Sequence, residues 1–166
     1  MKLGSAAILA CLAVLALPSV ALGSVRHFQG TLTTDPEHPT VKFDVKGRKK
    51  HGKLVPTRVM NLSVLPKILY QGGCAKCVPP FRYYFPGFAL TDPPIKVEQA
   101  GKHKGFFLGL DEDVVGETTL NFYIFSGKFK SGTKARGKLH AEVSEGGIQF
   151  PHGEAQHNWT AHRVAG

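Results

Sequence analysis

Cysteine, tryptophan and methionine are scarce in this sequence, at 3, 1 and 2 residues, and acid is outnumbered, with 12 Asp+Glu against 21 Lys+Arg. Helical periodicity is missing as well: beyond the first two dozen residues no stretch of about ten, the least a helix needs, repeats its apolar positions at the helical period. Nor does any later apolar run approach the roughly 18 residues of a membrane-spanning helix. Catalytic signatures are also lacking. There is no Gly-x-Ser-x-Gly elbow, no phosphate-binding loop, no His-Glu-x-x-His and no arranged pair of carboxylates.

Hydrophobic residues make up 42% and charged residues 20% of the 166 residues, which excludes a disordered polycation despite the formal net charge of +9. The length suits one domain.

The N-terminus reads as an export signal. Lys2 supplies a positive start, residues 6–17 are almost unbroken apolar, Pro18 breaks the run, and Ala21-Leu22-Gly23 puts small residues before a cut ahead of Ser24. Residues 1–23 are therefore expected to be a signal peptide and 24–166 one all-β domain, secreted or associated with the cell envelope. Cys11, behind Ile8-Leu9-Ala10, loosely matches a lipoprotein cleavage box, but a cut there would strand the longest apolar stretch on the wrong side.

Alternation dominates the chain beyond Ser24. Val41, Phe43 and Val45 interleave with Lys42, Asp44 and Lys46; Ala135, Gly137, Leu139, Ala141 and Val143 interleave with Lys134, Arg136, Lys138, His140 and Glu142; Trp159 and Ala161 alternate with Asn158, Thr160 and His162. Each is the period-2 mark of a strand with one buried face. Residues 120–125, apolar on both faces except for Asn121, read as a central strand. Further strands are expected near 25–32, 54–65, 81–90, 95–98 and 104–110. Turn residues separate them: Asp35-Pro36, His38-Pro39, Gly47, Gly52, Gly72-Gly73, Asp92-Pro93-Pro94, Ser131-Gly132 and Gly146-Gly147. The expected fold is an antiparallel β-sandwich or flattened barrel of eight or nine strands.

Cys74 and Cys77, between Gly72-Gly73 and Pro79-Pro80, lack the helix start of a redox Cys-x-x-Cys and the adjacent His of a haem attachment site. Zinc would need two more ligands. In an exported chain a local disulfide closing a short loop is the reading left, with metal and redox alternatives behind it.

Positive charge gathers in three places: Lys46 to Lys53, with Arg48, Lys49, Lys50 and Lys53 at an expected turn; Lys128, Lys130, Lys134, Arg136 and Lys138; and Lys102-His103-Lys104. Such loops suit polyanions such as envelope polymers, with salt-dependent binding, while solubility alone would also account for them. No interleaved aromatic platform points to single-stranded nucleic acid.

His152, His157 and His162 recur every five residues and share no single face, although His157 falls on the face of Trp159. Asp111-Glu112-Asp113 with Gly116 hints at a calcium loop, but Val115 and Phe122 stand where ligands should be, so a solvated turn is expected. The aromatic run Phe81-Arg82-Tyr83-Tyr84-Phe85 allows sugar stacking, although strand core is the plainer account. No cofactor and no metal site is expected.

Phe28-Gln29-Gly30, Val41-Lys42-Phe43-Asp44-Val45 with its Lys-rich turn, Phe125-Ser126-Gly127-Lys128-Phe129 and Trp159-Thr160-Ala161 resemble small secreted proteins of actinobacteria. The resemblance implies a signal peptide and one β-sandwich domain, and no activity. Members of that group often carry further cysteines near the C-terminus, which this chain lacks. Together these readings lead to an exported, non-catalytic β-domain that binds anionic polymers through its basic hairpins. A hydrolase using His157 or His140 and a purely structural domain are the alternatives.

Overall fold

The computed structural model describes residues 24–73, 81–91, 93–115, 119–145 and 152–165. Among them every regular element is a strand: β1 (Ser24–Leu32), β2 (Thr40–Lys50), β3 (Lys53–Gly73), β4 (Phe81–Leu90), β5 (Ile95–Lys96), β6 (Phe106–Val115), β7 (Thr119–Ser131), β8 (Lys134–Glu145) and β9 (His152–Arg163). They form one antiparallel sheet in the order β4-β3-β2-β1-β9-β8-β7-β6, with β5 on β3. The expected strands all appear, with altered lengths.

The alternation sets which face is buried. Val41, Phe43 and Val45 on β2, Phe125 and Phe129 on β7, Leu139 and Ala141 on β8, and Trp159 and Ala161 on β9 all lie in the core. Aromatic rings fill its centre. Phe28 stacks on Phe43 at 5.2 Å between centroids, and Phe125 stacks on Trp159 at 4.7 Å. Phe107 and Phe129 close the cluster at 5.5 Å. Large rings contribute most of the apolar area such a core removes from water.

Two connections tie distant parts of the sheet together. Beyond β5, Val97 N–H donates to Thr57 O at 3.0 Å and Glu98 N–H to Phe106 O at 2.8 Å, so this segment links β3 to β6. The far end of β3 also pairs with the start of β9, Gln71 opposite Glu154 and Gly72 opposite Gly153.

Several expectations change. Gly47 and Gly72-Gly73, expected as turn residues, lie within β2 and β3. β3 runs on to Gly73, past a cis Leu65–Pro66 peptide and a register shift between Val64 and Lys67. The proline at 66 reads as a strand stop, but the shift accommodates its missing donor. Asp111, Glu112 and Asp113 belong to β6, opposite Tyr123, Phe122 and Asn121, and form neither a turn nor a calcium loop. The segment at 120–125 extends into a longer β7, second from the end of the sheet, with Phe122 and Ile124 half-exposed on its outer face.

Candidate functional site

The β2–β3 connection is a two-residue hairpin: Lys50 pairs with Lys53 across His51 (φ 50°) and Gly52 (φ 74°). Positive φ at both central residues is the turn geometry that matches the twist of two antiparallel strands. Behind it Gly47 is buried, with no side chain to compete with Leu54 for the space above it; a Cβ there would sit 2.6 Å from Leu54 Cδ1. The hairpin tip thus carries Arg48, Lys49, Lys50 and Lys53, all exposed. Among the described residues none of the four has a carboxylate within 4.0 Å, whereas Lys67 is paired with Glu37 at 3.0 Å.

The second basic cluster lies on the neighbouring β7–β8 hairpin, where Ser131 Oγ and Thr133 Oγ1 lie 3.1 Å apart and brace the turn. Its tip meets the first hairpin. A Cβ on Gly132 would lie 3.3 Å from the carbonyl oxygen of Leu54. The third cluster joins them, since Lys128 Nζ donates to Lys102 O at 3.4 Å and Phe129 N–H to Gly105 O at 2.9 Å. A cleft of about 260 Å³ opens between the three, with Leu54 and Phe129 as apolar wall and Lys104 and Lys130 at its margin. Glu98 is the only acid lining it among the described residues.

One end of the molecule therefore brings three basic stretches of chain together: Lys104 and Lys130 line an apolar-walled recess, to which the first hairpin contributes Leu54, Val55 and Pro56 next to its cations. Chemically this arrangement offers ammonium and guanidinium groups to anionic oxygens and a non-polar seat beside them. Arg136 and Lys138 extend the charge along the outer face of β8, opposite Thr160 and Asn158 of β9.

The histidines sit elsewhere. His157 is buried on the Trp159 face, as the alternation requires. Its Nε2 donates to Leu69 O at 2.8 Å and lies 3.5 Å from Asp35 Oδ2, and its Nδ1 is 3.4 Å from Thr34 Oγ1. Asp35 is fully buried and accepts the backbone N–H groups of Glu37 and Leu69, both at 2.9 Å. The Asp35-Pro36 dipeptide reads in sequence only as a turn; its carboxylate in fact pins the 33–39 connection to β3. A cleft of about 230 Å³ lined by Leu69, Gln71, Glu154 and His157 lies beside this group.

His140 lies on the outer face between two carboxylates, with Nε2 2.8 Å from Glu142 and Nδ1 3.4 Å from Glu154. His162 is exposed opposite Lys134. Among the described residues no group of three or more His, Cys, Asp or Glu side chains is placed to hold a metal. Cys74 and Cys77 lie outside the described residues, as do Cys11 and the whole of 1–23.

On the aromatic strand, Phe88 is buried and stacks on Tyr123 at 4.3 Å, while Tyr84 is exposed with Lys67 Nζ 4.2 Å above its ring centroid. The Tyr84 phenol titrates above its ordinary value of 10.0 because of desolvation, then the charges of Glu37 and Asp35 and a hydrogen bond to Glu37; Lys67 pulls the other way.

The fold and this basic end define an all-β, single-sheet protein with a cationic pole. No protein-family model and no curated protein matches the chain.

Proposed function

We propose that this chain is an exported, non-catalytic β-domain, its sheet curled as a flattened barrel, that binds anionic envelope or extracellular polymers at its basic end. The observation that supports this most is the meeting of three sequence-distant basic stretches at one end of the molecule, with the cations of the hairpin tip left without acidic partners among the described residues. Cations kept only for solubility need no common location. In the same reading residues 1–23 are a cleaved signal, and Cys74 and Cys77 close a local disulfide, which thiol titration before and after reduction checks.

The test is binding of the purified protein to teichoic acid and to heparin across a salt series. The wild-type protein is expected to bind at low salt and to weaken linearly on a log–log plot. Replacing Arg48, Lys49, Lys50 and Lys53 by Gln is expected to lower affinity at least about tenfold and flatten that slope, since each lost contact removes released counterions. Lys42→Gln, on the flank of the sheet, is the control and should change little. A wild-type protein that ignores both polymers at low salt overturns the reading.

A second reading, a hydrolase, draws on one specific observation: His157, which lines the 230 Å³ cleft, has Thr34 Oγ1 3.4 Å from its Nδ1 and Asp35 Oδ2 3.5 Å from its Nε2. With Nε2–H committed to Leu69 O, Nδ1 is the acceptor facing the Thr34 hydroxyl. Covalent labelling of Thr34 by a fluorophosphonate, lost in His157→Gln, would favour this reading; an unlabelled Thr34 removes its support.

A further inference from the structure

The chain beyond β5 lies alongside β6 as a braced wall. Glu98 N–H donates to Phe106 O at 2.8 Å and Gly105 N–H returns to Glu98 O at 2.7 Å, which closes 98–106 into a loop. Within it Lys104 N–H donates to Gly101 O at 3.2 Å and Phe106 N–H to His103 O at 2.9 Å. Gln99 Nε2 ties the loop back to β3 by donating to Pro56 O at 2.6 Å.

This wall and β6 bound a groove of about 640 Å³, inside the range of roughly 300–1,000 Å³ that holds small molecules. It is separate from the smaller cleft of the basic end, although Glu98 borders both. Phe106, half-buried, and Leu108, 47% exposed, supply its apolar surface. The His103 ring meets Phe106 edge to face at 6.2 Å. Lys96 and Lys102 line the same groove. Arg58 lies opposite Lys96 on β3, and Lys128, opposite Phe106 on β7, reaches Lys102 O. Against these cations Glu98 is the only acid of the lining among the described residues.

Polarity also changes along the strand. Directly opposed residues of an antiparallel pair share a face, so the outer face carries Phe106 with Lys128, Leu108 with Ser126, Leu110 with Ile124, and Glu112 with Phe122. It is cationic at the first of these rows, apolar through the next two and acidic at Glu112. Leu110 is 60% exposed, so the apolar surface runs on past the groove. An elongated ligand with a negative head and a hydrocarbon tail fits this sequence of rows in one direction only.

We infer that the groove is a binding site for a single-chain anionic amphiphile, a carboxylate of the fatty-acid type. Its head takes its counter-charge from Lys96 and Lys102, and its tail lies over Phe106 and Leu108 toward Leu110. The reverse orientation would set the head against Glu112. The site is independent of polymer binding at the basic hairpins.

Isothermal titration of the purified protein with octanoate, decanoate and dodecanoate, each below its micelle concentration, tests this. One molecule per chain is expected to bind, and each added pair of methylenes should tighten binding several-fold. Decyltrimethylammonium, with a cationic head on a tail of similar length, should bind more weakly than decanoate. Leu108→Glu is expected to lower decanoate affinity at least about tenfold by placing a like charge in the apolar floor. Lys96→Gln combined with Lys102→Gln should lower it several-fold, whereas Glu98→Gln should raise it, because one repelling carboxylate is gone. Circular dichroism and thermal melting establish that each variant is folded; should Leu108→Glu fail there, the opposite signs of the lysine and Glu98 variants decide. The variant with Gln at 48, 49, 50 and 53 should bind decanoate as the wild type does, so failure of polymer binding and failure of this site are separate results. A protein that binds none of the three acids overturns the inference. So does uptake of many molecules per chain, or affinity indifferent to the groove variants. Binding to phosphatidylglycerol vesicles without binding of the soluble acids overturns it as well, and would make this face a membrane contact instead.

Discussion

The indole of Trp159 occupies the space where Gly127 would carry a side chain, on a row in which Gly127, Gly137 and Trp159 lie opposite one another on β7, β8 and β9. Trp159 Nε1–H then donates to Ser126 O at 3.1 Å, so the ring is held by its one polar atom as well as by stacking on Phe125. Two glycines make room for the largest side chain of the core. A Cβ on Gly127 would also sit 2.7 Å from Phe107 Cζ, a contact with ring atoms, whereas a Cβ on Gly137 would overlap the backbone oxygen of Ser126.

Overpacking here is expected to destabilise in a set order. Gly127→Ala should cost roughly 1–3 kcal/mol because rings can shift, and Gly137→Ala should cost more because backbone must move. Denaturant unfolding measures both. Trp159 is the single tryptophan of the chain, so its fluorescence reports the same site directly.

Asp35→Ala removes the acceptor of two backbone N–H groups and the carboxylate beside His157. Buried donors left without a partner cost their full desolvation, so a loss of about 2–4 kcal/mol is expected in an unfolding curve. Amide exchange should rise at Leu69 and Glu37 first. An unchanged melting temperature would show that the 33–39 connection is held without this carboxylate.

His51→Asn is expected to stabilise. His51 sits at φ 50° ahead of Gly52 at φ 74°, where Asn-Gly is the favoured pair. The gain should be a few tenths to about 1 kcal/mol, read as a higher melting temperature, with polymer binding by the neighbouring lysines unaltered.

Tyr84 provides a pH-dependent readout. Its folded-state pKa lies above the unfolded value, so the neutral phenol is the form the fold favours. The stability tied to it is therefore fully present below the unfolded pKa and is lost as pH rises through the folded one. Ultraviolet titration of tyrosinate should show a late-ionising component that disappears in Tyr84→Phe. In Glu37→Gln that component should move down, since a negative charge and a hydrogen-bond acceptor for the phenol are both weakened.

Most strand positions are legible in the sequence because one buried face imposes period 2, and the β2, β8 and β9 patterns carry it without interruption. His157 can be assigned to the Trp159 face by the same count. The order of strands is not legible: nothing local says that β9 inserts between β1 and β8. Pro66 hides the second half of β3, since a proline ordinarily ends a paired strand and only a register shift allows it to continue. Asp35 looks like turn chemistry because its burial depends on Leu69 and His157, which approach it from distant parts of the chain. Each basic cluster is visible singly, but their meeting depends on Gly132 reaching Leu54, a contact between hairpins nearly eighty residues apart.

The position of β9 has a kinetic side. Val164 N–H donates to His27 O, and Phe28 lies opposite Arg163, so the first strand completes its pairing only with the last. A chain emerging from its N-terminus keeps β1 open on one side until residues 152–163 arrive, and only then can the sheet become continuous from β4 to β6. Topology of this kind, dominated by partners far apart in sequence, folds slowly and late. It leaves an interval in which the whole polypeptide is made but the sheet is not yet continuous. The same adjacency brings the two ends of the domain side by side, so joining them and opening the chain at the His51-Gly52 turn should yield a circular permutant with the same sheet.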